Sequence, residues 1–142
     1  MPAPAATVIL DSEAVTVLSD VGHGKHRALL AYLEGIAQRR IRTPSHRVLV
    51  PVAVRIEAGW DRTDPKAVVV NRVSGARDVP LTGEAANRAE RLRAATGVSV
   101  VDATVGEAAD AAPKPVVILT SDIADMHKLA QRLDGEIRVV RV

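Results

Sequence analysis

Two short apolar runs dictate most of what this chain can become. Ala6 to Leu10 and Val116 to Leu119 are unbroken and largely β-branched, and each soon gives way to an acid: Asp11 directly in the first case, Asp122 after Thr120 and Ser121 in the second. A strand without polar alternation is covered on both faces, the condition of a parallel strand with helices above and below it. Val48 to Val50 and Ile137 to Val142 read as two more strands, and Asp78 to Leu81 as a weaker fifth.

Helical patterns fill the gaps. Gly24 to Arg40 carries Leu29, Leu30, Leu33, Ile36 and Ala37 at the spacing of one helix face. Thr82 predicts an N-cap, Glu84 and Arg88 an i,i+4 pair, and Gly97 a C-terminal stop, with Ala85, Ala89 and Leu92 turned inward. Asp64-Pro65 has the form of a cap followed by a first-turn proline, but Val68, Val69 and Val70 leave the continuation open between helix and strand. Strands alternating with helices predict a three-layer α/β sandwich around a parallel, roughly five-stranded sheet, joined by right-handed crossovers. With 142 residues and no repeat or Gly/Ser linker, residues 1–142 read as one domain.

Composition then removes whole classes of function. There is no cysteine, which excludes disulfide scaffolds, zinc ribbons, thiol nucleophiles and iron-sulfur sites. Tyr32 and Trp60 are the only aromatic residues, too few for a platform that stacks RNA bases. The formal charge of +2 leaves room for a local basic patch but not for a general basic field. No apolar stretch approaches a membrane span and the start lacks a basic region before its apolar run, so a cytoplasmic location and no membrane partner are expected.

Ligands of parallel α/β folds gather beyond the carboxyl ends of the strands, where Asp11 and Asp122 are expected. Glu57 adjoins a stripe of Val52, Ala53, Ile56 and Trp60, and Asp102 interrupts the apolar stretch Val98 to Val105. Each acid has a plain alternative: Asp11, Asp102 and Asp122 as helix caps, Glu57 as a solvated edge. Taken together, carboxylates crowded at a half-buried edge repel one another unless a cation intervenes, and an all-oxygen site suits Mg²⁺ or Mn²⁺. Such an ion acidifies a bound water, orients it for in-line attack on a phosphodiester and neutralises the leaving oxygen.

The ordered set TVILDSEAV, VPVAVRIEAGW, VVDATVGEAA and VVILTSDIADMHKLA resembles the PIN-domain ribonucleases, and within them the VapC-type toxins of bacterial toxin-antitoxin modules, over nearly the whole chain. The resemblance implies a five-stranded parallel sheet and a Mg²⁺- or Mn²⁺-dependent endoribonuclease that cleaves structured RNA such as tRNA or rRNA. It implies neutralisation by a VapB-like antitoxin, and homodimerisation. Asp11, Glu57, Asp102 and Asp122 take the positions of the four-acid metal site, with Asp125 as a further metal ligand and Thr120 as a helper that orients water or substrate. Gly59 to Val79 diverges from the pattern.

Other features are read more plainly. Lys25, Arg27, Arg39, Arg40, Arg42 and Arg47 form a basic first third, either solvated or in contact with RNA phosphate. His23 and His26 are read as surface residues, Glu13 and Glu107 as exposed or capping acids, and Trp60 as core. Two rivals remain: a receiver-like phosphoacceptor domain, although Asp11 is followed by Ser12 and Lys114 precedes its strand, and a non-catalytic α/β module that binds protein or RNA.

Overall fold

In a computed structural model, residues 5–42, 47–75 and 77–142 are described, with side chains left out for 37–42. Four parallel strands, β1 (Thr7–Leu10), β2 (Arg47–Leu49), β3 (Val116–Thr120) and β4 (Ile137–Arg141), form a sheet in the order β2-β1-β3-β4. Every residue of β1 and β3 is buried, as their unbroken apolar composition requires. Leu10 pairs with Leu119, so Asp11 and Ser121 leave the sheet at the same edge, and the Asp11 N–H donates to the Leu119 carbonyl at 3.1 Å.

The expected fifth strand is a single bridge, Val79 opposite Pro51. Proline flanks the bridge at Pro80 and supplies its other half at Pro51, and neither has an N–H to extend a ladder. Asp78 is also held elsewhere, by the guanidinium groups of Arg55 and Arg62. Those two cations lie 5.0 and 4.7 Å from the ring centre of Trp60, which is buried as expected.

The helices are α1 (Ser12–Ser19), α2 (His26–Arg42), α3 (Val52–Ala58), α4 (Val68–Val73), α5 (Gly83–Thr96), α6 (Val100–Ala111) and α7 (Ile123–Ala130). Right-handed crossovers decide their layers. The β1-to-β2 connection runs one way across the sheet and places α1 and α2 on one face. The β2-to-β3 and β3-to-β4 connections run the other way and place α6 and α7 on the opposite face, where α6 meets β1 and α7 meets β3 and β4.

Local signals account for several helix ends. The Thr82 hydroxyl caps the Ala85 N–H at 3.1 Å, Glu84 lies 3.9 Å from Arg88, and Gly97 closes α5 at φ 76. Asp64 caps a 3-10 turn, Pro65–Ala67, that continues into α4, so the valine run is helical. Leu29, Leu33 and Ile36 are buried in α2 as the spacing requires; Ala37, Arg39, Arg40 and Arg42 fall among the side chains left out.

The reading of α3 needs correction. Val54 is its fully buried residue and Ile56 is 83% exposed, because seven residues make too short a helix for its apolar spacing to fix which side faces inward. No described helix is long and apolar enough to cross a membrane.

Candidate metal centre

Asp11 caps α1: Oδ1 accepts the Ala14 N–H at 3.0 Å and Oδ2 accepts the Ser121 N–H at 3.2 Å. Burial pushes its carboxyl above the usual range, opposed by the Thr120 hydroxyl and by these backbone donors. Thr120, the fully buried last residue of β3, also accepts the Asp122 N–H at 2.9 Å, so one hydroxyl ties the ends of the two central strands together.

Asp122 is exposed and caps α7, its Oδ1 accepting the Asp125 N–H at 3.2 Å. Asp125 lies in the first turn of α7 and takes a bond from Lys128 at 2.9 Å. Asp102 lies in the first turn of α6, where Ser99 caps its N–H at 3.1 Å. Glu57, exposed at the end of α3, accepts the Ser12 hydroxyl.

Oxygens of Asp102, Asp122 and Asp125 lie within 4.8 Å of one another. Burial raises the Asp102 carboxyl to about 6, and the charges of Asp122, Asp125 and Glu57 push the same way against the Ser99 hydroxyl. Glu57 therefore borders the group, and Asp11 stands behind it through Ser121 and Thr120. The N-terminal turns of α1, α6 and α7 all carry these acids, so positive helix ends offset part of the repulsion. Burial first, and the remaining repulsion second, hold the Asp102 carboxyl at about 6.

An all-carboxylate donor set with one strongly perturbed member fits a hard divalent ion. Capping does not compete with that role, because a cap bond uses one lone pair and leaves the rest of the carboxylate free.

Three participants carried no obvious mark in the sequence. Ser12 holds Glu57, the Ser121 backbone holds Asp11, and Ser99 holds Asp102. Only Ser99 was findable, since Ser-x-x-Asp before an apolar run is a capping-box pattern.

Two plain readings are corrected. Glu107 is 5% exposed and receives Arg88 at 2.7 Å, a partner on α5 that nothing local announces. His26 is buried with Nδ1 3.0 Å from the Val17 carbonyl, whereas His23 stays half-exposed and accepts the Lys25 N–H. Lys114 is spent on the carbonyls of Ala109, Asp110 and Ala112 before β3, away from the carboxyl edge, which removes the lysine that a receiver-like site needs.

No family model and no curated protein matches the sequence. Solved structures do match in fold. VapBC2 from Rickettsia felis, bound to a DNA fragment from its promoter, gives a TM-score of 0.60 at 12% identity over 96% of this chain and 98% of that one. FitAcB from Neisseria gonorrhoeae gives 0.58 at 11% identity over 92% and 96%. FitAB bound to an IR36 DNA fragment gives 0.58 at 12% identity over 94% of both chains. The chain thus shares the α/β sandwich fold of these structures, with four parallel strands among the described residues where about five were expected.

Proposed function

We propose that this chain is a Mg²⁺- or Mn²⁺-dependent endoribonuclease, the toxin of a VapBC-type module, acting on structured RNA such as tRNA or rRNA. The observation that carries the reading is the gathering of Asp102, Asp122 and Asp125 within 4.8 Å, with Glu57 close enough to raise Asp102 further. Asp122 and Asp125 share the first turn of α7, Asp102 comes from α6 and Glu57 from α3, and they meet at the sheet edge where α/β folds bind ligands.

In this reading Asp11, Glu57, Asp102 and Asp122 hold the ion and Asp125 serves a second ion or a water. When bound, the ion supplies an acidified water and neutralises charge at the leaving oxygen. The chain's own residues set the geometry. Thr120, buried with its hydroxyl on Asp11 and the Asp122 N–H, fixes the strand end between the two acids and would orient water or substrate through them. Ser99 and Ser12 steady Asp102 and Glu57. No protein group forms a covalent intermediate. A VapB-like antitoxin belongs to the same reading, supported by neighbours solved as VapBC2 and FitAB; a homodimer rests on the family resemblance alone.

The test is cleavage of a tRNA and rRNA panel with Mg²⁺ or Mn²⁺, by the wild type, Asp11→Asn and Asp102→Asn. Cleavage by the wild type and loss in both variants, with unchanged circular dichroism, is expected. Undiminished cleavage by Asp11→Asn would remove that residue's role. No metal-dependent cleavage of any RNA by the wild type would leave the non-catalytic module.

A further inference from the structure

α6 and α7 cover one face of the sheet and α1 and α2 the other, and neither α1 nor α2 packs on β4, which leaves that second face short of cover there. On that side a groove of about 610 Å³ runs between α2 and strands β3 and β4. Val117 and Leu119 of β3, with Val140 of β4, make its floor, and Leu29 and Tyr32 of α2 make its wall. Val117 pairs with Arg138 and Leu119 with Val140, so these four residues share one sheet face. Parallel strands are ordinarily covered on both faces; β3 is, with Val117 and Leu119 buried, whereas Val140 of β4 and Tyr32 of α2 are each 43% exposed.

All the charged side chains lining this groove, among the described residues, are basic: Lys25, Arg138 and Arg141. Two are poorly satisfied. The Arg138 Nε is buried with no hydrogen-bond acceptor, Glu136 standing 3.9 Å away. Arg141 has only a long bond, 3.4 Å, to the Ser121 carbonyl beside the acidic centre. A two-turn helix about 10 Å across fills ~850 Å³, so the groove takes one stripe of side chains, not a whole helix.

We propose that the groove binds an acidic segment of a partner protein, apolar side chains against Tyr32 and Val140 above the buried Val117 and Leu119, and carboxylates on Arg138 and Arg141. A two-fold pairing of copies through this face would set like charges against each other. RNA finds a single aromatic ring and an otherwise aliphatic floor, poor surfaces for its bases. The surface deepens the antitoxin reading, and rests on it only for which protein supplies the segment. Because the groove opens beside Ser121, an occupant would lie next to the acidic centre.

The probe is a fluorescein-labelled peptide of alternating Glu and Leu, followed by anisotropy on the full chain without RNA or metal. Saturable binding is expected, weakened at least tenfold by Arg138→Glu and unchanged by Arg132→Glu on the exposed surface beyond α7. The cysteine-free chain allows a second measurement: the peptide should slow maleimide labelling of Val140→Cys at least fivefold and leave Val21→Cys unaffected. Equal binding of a Lys-Leu peptide, or indifference to both Arg138→Glu and Val140→Cys occupancy, would overturn the proposal. So would a dimer that Val140→Glu dissociates, or an oligouridylate that displaces the peptide. Failure of RNA cleavage with peptide binding intact would count against the nuclease reading alone.

Discussion

The Ser12 hydroxyl donates to Oε1 of Glu57, joining the first turn of α1 to the last turn of α3 across 45 positions of sequence. Glu57 is exposed and would otherwise sample many rotamers, so this bond sets how often its carboxylate faces the other acids.

Ser12→Ala should therefore weaken Mn²⁺ binding two- to fivefold by calorimetry, about 0.5–1 kcal/mol for one solvent-exposed hydrogen bond. Ser12→Thr, which keeps the hydroxyl, should restore most of it. Identical affinities in all three proteins would mean that Glu57 takes no part in holding the ion.

Mn²⁺ itself should raise the melting temperature, because it binds the folded chain alone. At a hundredfold excess over Kd the gain is about 2.7 kcal/mol, roughly 5–10 °C for a chain of this size. Asp122→Asn keeps an oxygen for the Asp125 N–H, so the metal-free protein should melt within ~2 °C of wild type. The Mn²⁺-induced rise should nearly vanish. A full rise in Asp122→Asn would detach that residue from the metal.

What could be read from the sequence was local. β1 and β3 declare themselves because burial on both faces erases polar alternation, and α5 because Thr82, Glu84 and Gly97 punctuate it within one chain segment. Asp11 and Asp122 were legible as strand-end residues, Glu57 beside a helical stripe and Asp102 as an acid within an apolar stretch; their relations were not. Ser12 with Glu57, Ser121 with Asp11 and Arg88 with Glu107 meet only after the crossovers have closed. The short α3 misled because one buried residue, Val54, leaves no periodicity to read, and the fifth strand failed on two prolines.

Glu107 gives the sharpest case of a non-local partner. Its side chain is 7% exposed and its oxygen takes both Nε and Nη2 of Arg88. Arg88→Ala strands a buried carboxylate and should lower the melting temperature by ~5–10 °C. Replacing both residues by methionine should recover much of the loss, since a well-packed apolar pair avoids the desolvation of both ions. A melting temperature unmoved by Arg88→Ala would show that Glu107 finds other donors.

Asp102 makes an acid-side prediction of opposite sign to most carboxylates. Its folded pKa is about 6 against an ordinary 3.8, so between those values the folded chain binds more protons than the unfolded one. The stability this adds is complete below about 3.8 and is lost as pH rises through 6. Discounted for partial exposure, the loss at neutral pH is about 1 kcal/mol. Without divalent ions, Asp102→Asn should then melt ~2–4 °C above wild type at pH 7.5 and level with it near pH 3.5. Saturating Mn²⁺ should reverse the order at pH 7.5, because only the carboxylate gains from the ion. A constant offset across pH would trace the change to packing instead of charge, and the burial of the Asp102 carboxylate, with its crowding by Asp122, Asp125 and Glu57, would lose its energetic meaning.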